Sequence, residues 1–166
     1  MIERNYKKGF TLIELLAVII VLALILVFAI PAVLDTSTRA QKKTFATYAR
    51  RVLTLAQEYI EAERLDAGAV SQTSFTNVAG SGFSLGTNDT EYDVCIVYDP
   101  DKTGDEKYTI YMRNDSYYVD DVNDTDLKSS NTAVTAINTD HSRATKNLVA
   151  TEDQRGNHIC EYQNKN

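Results

Sequence analysis

The run from Leu15 to Leu34, LLAVIIVLALILVFAIPAVL, holds only apolar side chains and one proline. Its length is about the 20 residues that a helix needs to cross a bilayer. The sequence therefore predicts a membrane-entering helix. Arg4, Lys7 and Lys8 precede it, which places the N-terminus on the cytoplasmic side and the chain beyond residue 40 outside. Arg39, Lys42 and Lys43 on the far side dilute that bias. Glu14 lies at the head of the run, and a charge at a helix centre costs about 2.5–3.5 kcal/mol on insertion scales. Either the carboxylate stays near the headgroups of a permanent anchor, or a positive partner offsets it.

A secretory signal orders a basic region, an apolar core and then a small-residue cleavage site. Here the small residue at the basic-to-apolar junction is Gly9, ahead of the core. Cleavage there would leave a mature chain that starts with its hydrophobic helix. The residues KKGFTLIE, 7 to 14, resemble the processing motif of type IV prepilins, and the likeness extends to about residue 31. The resemblance implies that residues 1–9 are a leader and that a membrane-embedded prepilin peptidase cuts Gly9–Phe10. It further implies that the new N-terminal Phe10 is methylated and that Glu14 pairs with the N-terminal amine of a neighbouring subunit. Pro31 stands at the usual site of helix disruption. Proline removes a backbone donor, so a kink is expected, with loss of helical order on assembly as a further expectation.

The resemblance also supplies the partners. They are further copies of the chain in a homopolymer, the peptidase, an assembly platform with its motor, and the membrane before assembly. The product is a surface pilus serving adhesion, motility or related roles. A pseudopilin of a secretion or DNA-uptake system shares the same motif, and a non-polymerising anchored binding domain is the alternative from another class.

Beyond the span, Phe45, Ala49, Val52, Ala56 and Ile60 recur at helical spacing, with Tyr48, Leu55 and Tyr59 widening the stripe. The domain plan is thus a leader (1–9), a transmembrane or filament-core helix (10–34), an amphipathic helix (35–66) and a globular head (67–166). A helix over 10–66 would be about 85 Å long. Heptads with paired flanking charges are not evident, so a sheet of the same chain is the expected cover. YDVCIVYD (92–99), KYTIYMRN (107–114) and SYYVDDV (116–122) read as antiparallel strands, and HICEY (158–162) as a fourth. Residues 68–91 read as a surface connection, and 131–150 as short helix or loop. The fold class is α+β: a long N-terminal helix on a small antiparallel sheet of three to four strands.

Charge divides unevenly. Residues 1–51 carry +5 and the remainder −11, which argues against general nucleic-acid binding. No catalytic residue, cofactor or metal is expected. DPDKTGDE (99–106) starts like a calcium loop, but Ile110 stands where the bidentate glutamate belongs. DDVNDTD (120–126) reads as a wet surface loop. GSGFSLG (80–86) misses the dinucleotide spacing by one residue. His141, His158 and Cys160 fit no zinc spacing and read as surface histidines and a structural cysteine. Cys95 and Cys160 permit one disulfide, which an extracytoplasmic head favours and which closing so long a loop makes worth about 4 kcal/mol. Two buried thiols are the alternative.

Overall fold

The computed structural model describes residues 9–77, 82–129 and 133–165. Residues 1–8, within the expected leader, and the start of the GSGFSLG stretch lie outside them. The chain forms two compact units, Met1–Ala40 and Gln41–Asn166.

In the first unit, helix α1 (Leu12–Ala67) starts at Leu12, and its large apolar side chains from Leu12 to Leu34 are exposed. By length and composition it can cross a membrane. Pro31 lies inside α1, which does not end there. Having no N–H, it leaves the Val27 carbonyl without its usual donor.

In the second unit α1 is amphipathic. Phe45, Ala46, Ala49, Val52, Leu53, Ala56 and Ile60 are buried, and Tyr48, Leu55 and Tyr59 flank them half-buried. The helix closes at Gly68, whose φ of 82° suits glycine and whose N–H reaches the Arg64 carbonyl at 2.9 Å.

Five strands form one antiparallel sheet in the order β1-β2-β3-β4-β5. They are β1 (Thr73–Thr76), β2 (Asp93–Tyr98), β3 (Tyr108–Arg113), β4 (Tyr117–Val122) and β5 (Thr135–Ala136). Alternation along β2 and β3 sorts the faces. Val94, Ile96, Tyr98, Tyr108, Ile110 and Met112 join the α1 core. Cys95, Val97 and Tyr111 point to the other side, where they meet Leu148, Ala150, Cys160 and Tyr162 of a separate hairpin. That hairpin is β6 (Lys146–Glu152) paired with β7 (His158–Asn164). The head therefore has three layers: helix, sheet and hairpin. Cys95 and Cys160 are joined as a disulfide between sheet and hairpin, with Cα atoms 6.0 Å apart.

The α+β class stands, while several details depart from expectation. The sheet has five strands rather than three to four. Residues 68–91 are not all connection, because TSFT pairs with β2, burying Phe75 and Thr76. Residues 131–150 contain β5 and most of β6, which their irregular apolar spacing hid. The predicted fourth strand, part of β7, belongs to the second sheet.

The acidic run 120–126 is not a wet loop. Its first residues complete β4, and Asp124 starts the short helix α2 (Asp124–Ser129). The Asp124 carboxylate receives Arg50 Nε of α1 at 2.8 Å and also pairs with Lys128. Burial pushes this carboxyl up, but the bonds from Lys128 and Arg50 outweigh it and hold it below 3.8.

A depressed folded-state pKa stabilises above the unfolded value and is lost as pH falls through the folded one. Asp124→Asn should therefore cost about 1–2 kcal/mol at pH 7, read from urea unfolding of the full chain in detergent. The deficit should persist down to about pH 5 and vanish as the wild-type carboxylate protonates.

Candidate functional site

The segment singled out by the sequence is Gly9–Glu14. Phe10 is 92% exposed, so the Gly9–Phe10 bond borders an open side chain. Thr11 is the cap of α1 and Glu14 its third helical residue. The Thr11 N–H and hydroxyl both donate to Glu14 Oε2 at 2.8 Å, while the Glu14 N–H donates to Thr11 Oγ1 at 3.3 Å. This is a reciprocal capping box, which satisfies donors that a helix start leaves open. The acid also complements the positive end of the helix dipole.

Glu14 thus has a local partner within the chain, and Thr11 joins Gly9, Phe10 and Glu14 at the site. Its signal is in the sequence: threonine, two residues, then glutamate, ahead of an apolar run. Only Oε2 takes the Thr11 bonds. Gly9, Phe10 and Glu14 lie together at the helix start, whereas Pro31 is about five helical turns farther along.

The head carries a second polar cluster that the sequence did not reveal. Arg113, expected only as a strand residue, is 0% exposed. Its Nε and Nη2 reach Asp93 Oδ2 at 2.9 and 2.7 Å, and its remaining donors meet the carbonyls of His141 and Lys146. The guanidinium lies 5.0 Å from the Tyr162 ring centroid.

A bulge in β4 sets the rest. Ile110 pairs with Val122 but Met112 with Val119, so one extra residue stands opposite Tyr111, and Asp121 takes a φ of 53°. Asp120 then accepts from the Tyr162 hydroxyl at 2.6 Å and faces His141 Nε2 at 2.6 Å. Burial first, and then this bond, pushes the Tyr162 phenol far up. His141 stacks on Tyr118 at 3.7 Å and is not the surface histidine expected. His158 lies near Ser74 and Glu152 instead. Hence His141, His158 and Cys160 do not converge, and among the described residues no group of three or more His, Cys, Asp or Glu is arranged to hold a metal.

The cluster braces sheet against hairpin. Thr11→Ala should remove about 1 kcal/mol of capping and speed amide exchange of residues 12–15 about fivefold. Glu14→Gln keeps the capping-box chemistry, so its exchange should stay within about twofold of wild type in the same micelles.

Residues 4–30 match the family described as the prokaryotic N-terminal methylation motif. No curated protein and no solved structure matches the chain significantly. The matched residues span the basic segment ahead of the helix, the capped helix start and nearly all of the exposed apolar run, and this motif is the type IV pilin-like and prepilin-like signal.

Proposed function

We propose that the chain is a structural subunit of a type IV pilus, held in the membrane as a precursor and polymerised through α1. One observation carries this reading. The methylation motif falls on the capped start of a helix whose large apolar side chains, Leu12 to Leu34, find no cover in their own chain. A bilayer covers such a surface before assembly, and copies of the same helix cover it afterwards.

Processing by a prepilin peptidase between Gly9 and Phe10 supplies an ammonium group at Phe10. In the fibre that group on one copy pairs with Glu14 of its neighbour, so that an acid surrounded by apolar helices is no longer alone. The Thr11 bonds orient the carboxylate without neutralising it. Moving the helix from lipid into a fibre needs external work, which an assembly motor provides. The head faces outward on the fibre and the activity is assembly rather than catalysis. A pseudopilin of a secretion or DNA-uptake machine carries the same motif; long surface fibres in micrographs distinguish the pilus subunit.

Two substitutions separate the charge of Glu14 from its capping. Glu14→Gln should be processed normally yet lower sheared fibre yield at least tenfold, since an amide cannot form the ion pair. Thr11→Ala keeps the charge and should retain fibre yield within about threefold, as a lost cap costs about 1 kcal/mol. The mature wild-type chain should begin at Phe10 on N-terminal sequencing. Retention of Met1 in the working form, or normal fibres from Glu14→Leu, overturns the reading.

A further inference from the structure

Past Leu34, the exposed large apolar side chain among the described residues is Leu65, 89% accessible near the end of α1. Carboxylates surround it in sequence: Glu61, Glu63 and Asp66, with Arg64 bound to Glu61 at 2.9 Å. Nearer the start of the head, the outward surface of the same helix is basic, with Lys42, Lys43, Arg50 and Arg51. There an open concavity of ≈ 550 Å³ has Leu53 and Leu55 in its lining, with Thr54, the cations Arg50 and Arg51 and the acids Glu58 and Asp124 beside them; Asp124 is taken up by Arg50, which leaves Arg51 as the cation to be met. Among the described residues, neither Arg51 nor Glu63 enters an ion pair within the chain.

The knob and the concavity cannot meet in one molecule. Eleven residues of continuous helix separate Thr54 from Leu65, about 16 Å at 1.5 Å per residue. A projection and a complementary hollow at different places on one surface give a head-to-tail contact, which repeats without closing unless the rotation happens to close it.

Charge selects the offset. Copies packed in register would set Arg51 beside Arg51 and Glu63 beside Glu63, and like charges in contact oppose association. A shift of one copy by about 16 Å along its helix lays Leu65 over Thr54, and brings Glu61 and Glu63 to the level of Arg50 and Arg51.

We propose that Leu65 of one copy seats in the Arg51–Leu55 concavity of another copy in the fibre, with Glu63 facing Arg51. The inference rests on the chain polymerising, and it names a surface by which two heads meet; the copy concerned is not the neighbour whose Phe10 amine meets Glu14, since that pairing needs an offset of only about 6 Å.

The full chain suits a cross-linking test, because Cys95 and Cys160 are bonded to each other and the described residues hold no free cysteine. Fibres of Thr54→Cys/Leu65→Cys, oxidised with copper phenanthroline, should run as a ladder of dimers, trimers and higher species without reductant. Either single variant should stop at the dimer or below. Arg51→Glu should lower sheared fibre yield about tenfold, and Arg51→Glu/Glu63→Arg should restore at least half of it. Should the cysteine pair itself prevent fibres, the charge exchange decides. Fibres of normal yield with no ladder, or an Arg51→Glu yield equal to wild type, overturn the contact while leaving the subunit reading intact. A mature chain that retains Met1 removes that reading, and the contact with it.

Discussion

The constraint on which this molecule depends is an apolar helical surface that its own fold does not cover. Exposure of the side chains from Leu12 to Leu34 is costly in water, at about 25 cal/mol per Å² of apolar area. The chain therefore needs either lipid or other chains around it. Within the second unit, the sheet is occupied on both faces, by α1 on one and by the β6–β7 hairpin on the other. Placing Glu14 at the start of such a surface is tolerable because the helix terminus itself offers N–H donors and a favourable dipole. The capping box and the proposed ion pair are thus compatible uses of one carboxylate. Thr11 takes Oε2, and the charge remains available to an ammonium group.

The head solves a different problem, which is to hold a hairpin of fourteen residues in two strands against a sheet with little apolar material. The buried apolar residues between these layers are few: Cys95, Leu148 and Cys160, with Val97, Tyr111, Ala150 and Tyr162 partly buried around them. A covalent bond and a buried cation take over where hydrophobic area is short. The disulfide constrains the unfolded chain, a contribution of about 4 kcal/mol for a loop of this length. Arg113 is fully buried yet has a carboxylate and two carbonyls for its donors, so its desolvation is offset by charge-assisted bonds. Removal of any one of these partners would leave a charge or donor stranded, which is why such clusters specify an arrangement more than they add stability.

Much of this was legible in the residues. The stripe Phe45, Ala49, Val52, Ala56, Ile60 is buried throughout, because a 3.6-residue period has one structural solution when a sheet lies beside it. The strands of β2, β3 and β4 were visible for the same reason, with β-branched and aromatic residues between turn formers. Misses came where local pattern and tertiary context diverge. TSFT has only one strongly apolar residue, and becomes a strand because the edge of β2 pairs with it. KNLVATE has a single buried leucine, so no period stands out, and its partner β7 supplies the register. The Asp-rich run was misread because carboxylates are usually solvated, whereas Asp124 has Arg50 and Lys128 and Asp120 has His141 and Tyr162. Pairing partners that lie far apart in sequence leave no local trace.

The polarity of α1 links these scales. Over residues 42–51 the helix carries four cations and no acid, and over 58–66 four carboxylates and one arginine. Within the chain this segregation brings little, since among the described residues only Arg50 and Arg64 of these cations enter ion pairs. It even opposes the helix dipole, which favours acids at the start of a helix and bases at its end. Both ends of the charged region lie well inside or at the end of one long helix, so the dipole penalty is confined to the acids near Ala67, within the last turns. A pattern that gains so little in the monomer becomes favourable when a second copy lies alongside with an axial shift, because unlike ends then meet. Polar helices that attract one another only when shifted extend in one direction, which is the property a fibre subunit requires.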